Sequence, residues 1–280
     1  MEYNFDDKEY EWFKTEFFKI SKLDLNKYKQ DQMKRRISTY VYRRFKLSYA
    51  EFMELIKKDD YEYKAFLEYL TINVSEFFRN GEQWDILKNE VLPILMSNCK
   101  NKKLKIWSSA CSSGEEPYSL AMLLTNNLKD GIDFEILATD IDDTIISRAK
   151  KAVYKLENFE KIPEEYQKWF VKNEFDLYGI SDKIKDKVKF DKIDLLKSDY
   201  PKDIDLLVCR NVLIYFIEEA KDEIYQKFSN SLVDNGILFV GSSEQIVSSH
   251  LFGLKAIKKR KRKLLCSEKI LTLSTQPKAP

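Results

Sequence analysis

The chain has 280 residues, of which 44% are hydrophobic and 34% charged, and its formal net charge is +2. This composition is ordinary for a globular chain with room for two domains, and so small a net charge gives no global attraction to nucleic acid or membrane. A single histidine, His250, and four cysteines without metal-ligand spacing disfavour a Ser-His-Asp triad and a zinc site, so we expect no metal. Neither a signal peptide nor a continuously apolar window of about 18 residues is seen, so we expect a cytoplasmic protein.

The first 97 residues are predicted to be helical, because glycine is absent before Gly81 and proline before Pro93. Ser48 and Glu51 have the spacing of a capping box at the start of a helix. Residues 32–50 hold six basic side chains and no acidic one, namely Lys34, Arg35, Arg36, Arg43, Arg44 and Lys46. Such a helix face would attract a partner helix bearing glutamates, and a merely solvated face is the alternative.

Beyond about Leu104, apolar runs alternate with helical patterns, which favours an α/β fold with a parallel sheet covered on both faces. Helices are predicted to start near residues 115, 142 and 218, and strands to cover 104–109, 134–139, 187–192, 204–209 and 236–241. Residues 153–190 break this rhythm with aromatic and charged side chains. We interpret them as a small inserted β subdomain, and a plain crossover connection is the alternative.

The turn between the first predicted strand and helix is rich in small residues and ends in two glutamates. The segment from Trp107 to Ser119 reads WSSACSSGEEPYS. Small residues let a ligand approach the backbone closely, whereas Glu115 and Glu116 would repel a phosphate. The turn therefore disfavours a dinucleotide and favours a cationic ligand with ribose hydroxyls, such as S-adenosylmethionine.

Polar residues follow two further predicted strands. Asp140 ends the second strand, where a carboxylate can bind a ribose diol; it could instead cap the next helix, a role that Asp142 can fill. Arg210 and Asn211 follow the fourth strand, at the sheet edge where ligands bind in open parallel sheets. Tyr215 follows four residues after Asn211. It could lie near the reacting centre, or it could pack into the core with the next helix.

A polar segment precedes the sheet domain. It holds Asn73, Ser75 and Arg79 beside two phenylalanines. An arginine here could clamp a carboxylate through two parallel hydrogen bonds. Taken by itself, the segment would be a helix start with Ser75 as its cap and a solvated Arg79.

Three stretches together resemble the signature of the CheR-type chemotaxis receptor glutamate O-methyltransferases. They are Asn73-x-Ser75-x-Phe77-Phe78-Arg79, Ser112-x-Gly114-Glu115-Glu116-Pro117-Tyr118-Ser119 and Cys209-Arg210-Asn211-Val212-Leu213-Ile214-Tyr215-Phe216. Ala138-Thr139-Asp140-Ile141-Asp142 and Gly241-Ser242-Ser243-Glu244 also fit, and the likeness extends to about residue 268. It implies a Rossmann-like class I methyltransferase domain with an all-α N-terminal domain and a small inserted β subdomain. We expect boundaries at 1–82, 83–270 with the insertion at 153–190, and a tail at 271–280.

The resemblance also implies a site and a reaction. It implies cofactor contacts at Asn73, Ser75, Arg79, Glu116, Asp140, Asp194, Leu195, Arg210 and Asn211, and it puts Arg79 and Tyr215 near the transferring methyl group. Asp194 stands where the family usually has asparagine; it can accept from the adenine amino group but offers no donor. Ser75 replaces the usual threonine and keeps its hydroxyl. The implied methyl donor is S-adenosylmethionine and the product is S-adenosylhomocysteine.

The implied substrate is a glutamate on the cytoplasmic helices of a chemotaxis receptor, which the six basic side chains would recognise. A free glutamate has a pKa of about 4.3, so it is already ionised at neutral pH and needs no general base. The alternatives are a methyltransferase acting on another substrate such as RNA, and a non-catalytic module that senses the cofactor or docks on receptors. The basic run at 258–263 favours an exposed turn between the last two strands over a nucleic-acid patch. We expect no nucleic acid partner, no membrane insertion and a monomer.

Overall fold

The computed structural model describes residues 6–71, 73–99, 102–242, 244, 246, 248–256 and 266–269. The chain divides into two compact units, which we call the helical unit and the sheet unit. The helical unit comprises Met1–Asn73 and Leu213–Glu223, and the sheet unit comprises Val74–Val212 and Ile224–Pro280. The predictions for the tail and for the basic run at 258–263 fall outside the described residues. No helix in the described part is long and apolar enough to span a bilayer.

The helical unit is built around aromatic side chains. Its helices are α1 Asp7–Ser21, α2 Gln30–Phe45, α3 Tyr49–Lys58 and α4 Asp60–Thr71, with 3₁₀ turns at Leu25–Lys27 and Leu213–Tyr215. Phe13, Phe17, Phe52 and Phe66 are fully buried, and their rings pack edge-on or stacked at centroid distances of 4.9 to 6.4 Å. The predicted capping box at the start of α3 is confirmed, because the Ser48 and Glu51 side chains each accept from the other's backbone N–H.

The sheet unit has a central seven-stranded sheet and a smaller three-stranded one. Its helices are α5 Gly81–Ile86, α6 Leu92–Asn98, α7 Glu115–Asn127, α8 Asp143–Lys151, α9 Glu164–Gln167, α10 Asp182–Lys185 and α11 Glu218–Ser231, whose first turns belong to the helical unit. A π-helical turn at Leu87–Val91 joins α5 to α6. The strands are β1 Lys103–Ser108, β2 Asp133–Asp140, β3 Val153–Tyr154, β4 Phe170–Lys172, β5 Tyr178–Ile180, β6 Val188–Lys192, β7 Ile204–Cys209, β8 Leu232–Val240, β9 Leu254–Ala256 and β10 Cys266–Lys269.

The strand order of the large sheet fixes where a ligand can bind. The order is β6-β2-β1-β7-β8-β10-β9, in which the first five strands are parallel and the last two are antiparallel to their neighbours. The chain starts at β1, runs outward to β6 and then returns to the other side of β1 through β7. The strand order therefore reverses between β1 and β7, and ligands of doubly wound sheets bind at such a point, outside the carboxyl ends of the strands.

All five predicted strands are present, and the three predicted helix starts are confirmed to within one residue. The largest difference is at β8, which starts at Leu232 rather than at residue 236. Its pairing with β7 jumps from Ile204↔Leu232 to Leu206↔Ile237, so a bulge separates the two ends of the strand. Asp234 and Asn235 lie in that bulge and give the sequence the look of a turn, which is why the pattern hid the first half of the strand.

The predicted inserted β structure is the three-stranded sheet, in the order β3-β5-β4 with antiparallel pairing throughout. One face packs inward: Phe170 and Ile180 are buried, and Tyr154 is half-buried. The ring of Phe77 packs edge-on against Tyr154 and Phe170 at 4.9 Å each. The small sheet thus supports the segment that contains the first predicted motif.

Candidate active site

The turn after β1 is organised by backbone hydrogen bonds and by one glycine. The Ser109 N–H donates to the Val208 carbonyl at 2.9 Å, and the Cys111 N–H donates to the Thr139 carbonyl at 2.8 Å, so the turn joins both neighbouring strands. Gly114 precedes α7 with φ +97°, a conformation that side chains with a Cβ rarely adopt. The hydroxyl of Tyr154 donates to the Ser113 carbonyl at 2.8 Å and closes over the turn.

Replacing Gly114 tests how tightly this turn is held. An added Cβ would lie 2.9 Å from the Tyr154 hydroxyl and 3.0 Å from the Ala149 Cβ, in addition to the backbone strain. We expect Gly114→Ala to lower the free energy of unfolding by ~2–4 kcal/mol, measured by urea denaturation. Gly131→Ala is a matched control, because Gly131 also has a positive φ but no atom within 4 Å of an added Cβ. Equal losses in the two variants would contradict a close contact at Gly114.

Glu116, in the first turn of α7, forms a nearly buried ion pair with Arg210. The two side chains are 12% and 3% exposed, and their closest N–O distance is 3.4 Å. The Ser108 hydroxyl donates to the other Glu116 oxygen at 2.8 Å. Burial raises the pKa of Glu116 above its usual range, while Arg210 and Ser108 oppose that rise by stabilising the charged form. The carboxyl group of Glu116 is thus held near the carboxyl end of β1, paired with Arg210.

Arg210 also ties the segment before α5 to the sheet. Its Nη2 donates to the Arg79 carbonyl at 2.7 Å, and the Trp84 indole donates to the same oxygen at 3.0 Å. The Arg79 side chain is half-buried and donates back to the Val74 carbonyl at 2.8 Å. The Nε of Arg210 is buried and has no hydrogen-bond partner among the described residues. Arg210 therefore retains one donor that the protein does not use.

Residues 73–80 contain no helix, so the interpretation of this segment as a helix capped by Ser75 is wrong. Phe78 has φ +53°, its N–H donates to the Ser119 hydroxyl at 3.1 Å, and its ring stacks on Tyr166 at 4.4 Å. The packing of Phe77 and Phe78 against aromatic side chains from distant parts of the chain overrides the local helix signal. Ser75 is half-buried in this segment. Backbone strain at a non-glycine residue of this kind is concentrated at functional sites.

Asp140 ends β2 and is 8% exposed. Its carboxylate accepts the Ser112 N–H at 2.9 Å and the Asp142 N–H at 3.2 Å. Burial raises its pKa, and these backbone donors oppose the rise. Asp142, not Asp140, caps α8, because its side chain accepts the N–H groups of Thr144 and Ile145. The interpretation of Asp140 as the helix cap is therefore wrong, and its carboxylate stays at the sheet edge next to the β1 turn.

Asn211 follows β7 with φ +62°. The carboxylate of Glu244 accepts the N–H groups of Asn211 and Val212 at 2.7 and 2.9 Å. Glu244 lies in the stretch Gly241-Ser242-Ser243-Glu244 that fits the family resemblance, but the sequence alone indicated no role for it. Its signal was a glycine directly after a strand, followed three residues later by an acid, which is too short a pattern to identify a buried carboxylate.

Asp194 and Leu195 lie in the turn after β6. The Asp194 carboxylate accepts the Leu196 N–H at 2.9 Å, and the Asp194 N–H donates to the Ser198 hydroxyl at 3.0 Å. Leu195 is buried. Asp194, which stands where the resemblance implies asparagine, therefore stabilises the turn through one of its two carboxylate oxygens.

The structure brings Glu116, Asp140, Arg210 and Asn211 to the carboxyl edge of the sheet, and Arg79 is joined to Arg210 through its carbonyl. Two further predicted positions, Asn73 and Tyr215, belong to the helical unit. Asn73 donates to the Thr71 hydroxyl at 2.9 Å. Tyr215 is half-buried at the end of its 3₁₀ turn, where its carbonyl accepts the Lys29 N–H at 2.9 Å. Core packing is confirmed for Phe216, which is 4% exposed and lies 4.7 Å from the Tyr28 ring.

The six basic side chains lie on α2 and at its end, and they divide into two groups. Three are engaged within the helical unit: Lys34 pairs with Asp7, Arg36 lies over the Tyr69 ring, and Arg44 pairs with Glu62. Burial lowers the pKa of Arg36, and the phenols of Tyr69 and Tyr215 oppose that shift, so Tyr215 lies near the basic helix. The other three, Arg35, Arg43 and Lys46, are exposed and form no ion pair with any residue that the structure describes.

The described residues hold no cluster of three or more His, Cys, Asp or Glu side chains that could bind a metal ion. Cys111 and Cys209 are free and buried, and His250 is exposed. The strand order defines an α/β, Rossmann-like fold with an acidic site at the carboxyl edge of its sheet, as predicted.

Comparison with known proteins identifies the family. A family model described as the SAM binding domain of CheR methyltransferase matches residues 73–261, and one described as its all-alpha domain matches residues 8–71. A chemotaxis protein methyltransferase of Listeria monocytogenes is 41% identical over 251 residues, or 90% of this chain and 95% of that protein. The enzyme of the same name from Escherichia coli is 30% identical over 212 residues, or 72% and 71% of the two chains. Among solved structures, PKMT2 of Rickettsia typhi gives a TM-score of 0.34 at 19% identity, over 53% of this chain and 24% of that chain.

The chain belongs to the CheR methyltransferase family. The resemblance inferred from the three motifs is confirmed, and so is S-adenosylmethionine as the cofactor, since the larger matched domain is the family's SAM-binding domain.

Proposed function

We propose that this protein methylates glutamate side chains of chemotaxis receptors, with S-adenosylmethionine as donor and S-adenosylhomocysteine as product. Its family supports methyl transfer, and the relatives in Listeria and Escherichia are named chemotaxis protein methyltransferases. The observation that carries the proposal is the pair of carboxylates, Glu116 and Asp140, held at the carboxyl edge of the parallel strands. Negative side chains at this point disfavour a phosphate-bearing cofactor and favour a cationic one.

The residues at this edge fit an adenosyl sulfonium. Asp140 occupies the position from which a carboxylate accepts hydrogen bonds from a ribose diol. We assign the cofactor contacts to the nine predicted positions, namely Asn73, Ser75, Arg79, Glu116, Asp140, Asp194, Leu195, Arg210 and Asn211.

When bound, S-adenosylmethionine supplies an electrophilic methyl carbon on a positively charged sulfur. The glutamate substrate is ionised at neutral pH, so the protein has no proton to remove and needs no histidine at the site. Its task is to align the attacking oxygen with the methyl carbon and to exclude water, effects that together supply several kcal/mol. Arg79 orients a carboxylate at the reacting centre, and Tyr215 positions and shields the acceptor.

Recognition of the receptor falls to the exposed basic residues of α2. Arg35, Arg43 and Lys46 are the members of the basic cluster that stay exposed and make no ion pair among the described residues. Lys34, Arg36 and Arg44 act mainly in holding the helical unit together, because each is engaged with a partner inside it. A glutamate-rich receptor helix complements the three exposed cations, which speed and orient the encounter.

The reaction is tested by labelled methyl transfer from S-adenosylmethionine to receptor-rich membranes. We expect label to enter the receptor and to be released as methanol in mild base, because a glutamyl methyl ester is base-labile. Label that enters the receptor but resists base would overturn ester formation. Label that enters RNA in place of the receptor would overturn the proposed substrate.

Charge reversal tests the receptor surface separately from the methyl-transfer site. We expect the double variant Arg35→Glu, Arg43→Glu to raise the KM for receptor about tenfold or more, because like charges then face each other. Its dissociation constant for S-adenosylhomocysteine should not change. The control is Lys150→Glu, Lys151→Glu, which makes the same charge change on exposed residues of α8. An equal rise in receptor KM for both double variants would show a general charge effect and contradict recognition by α2.

A further inference from the structure

A single buried carboxylate holds the loop after β7 to the loop after β8. Glu244 is 4% exposed. One of its oxygens accepts the N–H groups of Asn211 and Gly241 at 2.7 and 2.9 Å, and the other accepts the N–H of Val212 at 2.9 Å. A carboxylate saturated by three backbone donors is both strongly held and strongly orienting, because hydrogen bonds to an ionised acceptor are short and strong.

The neighbouring glycine gives the Glu244 carboxylate room to approach the backbone. A Cβ on Gly241 would lie 2.4 Å from the Glu244 Oε2 and 3.2 Å from the Asn211 nitrogen. The Glu244 N–H in turn donates to the Gly241 carbonyl at 3.0 Å, which closes a tight turn. Only glycine permits this approach, so the glycine and the acid form one structural device.

The loop that this device holds contains two of the residues assigned to the cofactor. Asn211 has φ +62°, a left-handed conformation that asparagine adopts more readily than most residues other than glycine. The two bonds from Glu244 to consecutive N–H groups fix the direction of the chain as it leaves β7. Arg210, the residue before, takes its place in the ion pair with Glu116. The charge of Glu244 contributes to the raised pKa of Glu116, which places all three groups in one electrostatic cluster.

We propose that Glu244 is a positioning residue for cofactor binding, which presents Arg210 and Asn211 to S-adenosylmethionine without itself touching the ligand. This inference rests on the proposed function. Glu244→Gln is the sharpest change, because the amide keeps the size of the side chain but puts an NH₂ group against backbone donors. Gly241→Ala is a second, independent change that displaces the carboxylate without removing its charge.

The test is a calorimetric titration of each variant with S-adenosylhomocysteine, which reports both the dissociation constant and the number of binding-competent molecules. We expect both variants to raise the dissociation constant about tenfold to a hundredfold with a stoichiometry near that of the wild type, since a charged hydrogen bond contributes about 1.5–3 kcal/mol. A purely structural role would lower the stoichiometry and leave the dissociation constant unchanged. Glu160→Gln, an exposed acid in the same unit, is the control.

Three results would overturn the inference: an unchanged dissociation constant in the folded variants, a loss of stoichiometry alone, or failure of both variants to fold. The last result would show that Glu244 and Gly241 maintain the fold and do not specifically position the cofactor site. Wild-type protein that does not bind S-adenosylhomocysteine would instead refute the proposed function, so the two failures are distinguishable.

Discussion

Arg79→Ala is expected to lower kcat/KM for methyl transfer at least about a hundredfold, a loss of ~3 kcal/mol of transition-state stabilisation. The guanidinium is the half-buried cation of the first motif, and the proposed function gives it a carboxylate to orient. The fold should survive, because the Arg79 carbonyl, which accepts from Arg210 and Trp84, is kept in the variant, and only the bond from the side chain to the Val74 carbonyl is lost. Initial rates of labelled methyl transfer are the measurement.

The matched control for this prediction is Arg148→Ala, which removes an exposed arginine from α8 of the same unit. Urea denaturation should show that both variants retain most of their stability. Arg79→Lys separates charge from shape: it keeps the cation but loses the planar fork, and should retain an intermediate rate. Full turnover in Arg79→Ala would remove Arg79 from the active site.

Arg210→Ala is expected to lower the free energy of unfolding by ~3–5 kcal/mol. Removing one member of a nearly buried ion pair leaves the other charge without compensation. Glu116 would keep the Ser108 hydroxyl, but the Arg79 carbonyl would lose its bond from the guanidinium. Urea denaturation at pH 7 measures the loss, and an unfolding free energy equal to that of the wild type would contradict a structural ion pair.

The pH dependence of the stability of Arg210→Ala tests whether the unpaired carboxylate of Glu116 causes the loss. Burial already raises the pKa of Glu116, and loss of Arg210 removes the main opposing influence, so the pKa should rise further. A carboxyl group with a folded-state pKa above its unfolded value binds protons more tightly when folded. The variant should therefore be most stable below the unfolded pKa of glutamate and lose stability as the pH rises through the folded pKa.

The difference in the free energy of unfolding between wild type and Arg210→Ala should accordingly become smaller as the pH is lowered from 8 to 5. The double variant Glu116→Gln, Arg210→Ala should recover part of the loss at pH 8, because neither member of the ion pair then remains as an unpaired buried charge. A gap that is constant with pH would show that packing, and not an unpaired carboxylate, causes the loss.

Most of the sheet could be predicted from sequence because strand and helix patterns alternate after Leu104 on both sides of the inserted segment. The β8 strand shows the limit of that method, since its bulge carries turn-forming residues inside a strand. The segment at 73–80 shows a second limit. Its helix signal is local, whereas the packing of Phe77 and Phe78 against the inserted strands and α9 depends on residues about 75 to 100 positions away in the chain.

Candidate site residues could be chosen from the sequence, but the hydrogen bonds and ion pairs among them could not. Motif residues such as Glu116, Asp140 and Arg210 could be chosen because acids and cations after strands suit a ligand site. The division of the basic cluster could not be foreseen, because pairing of Arg36 with Tyr69 and of Arg44 with Glu62 depends on how α2 and α4 pack. The two bonds that Asn211 and Val212 donate to Glu244 likewise join residues more than thirty positions apart.

The central claim is that the carboxyl edge of the sheet binds the methyl donor through its acidic residues. Calorimetric titration of the wild type and Asp140→Ala with S-adenosylhomocysteine tests it most directly. We predict one binding site per wild-type chain and a loss of affinity of at least about tenfold in the variant, since the ribose diol would lose its charged acceptor. No binding by the wild type, or equal binding by both proteins, would contradict the account.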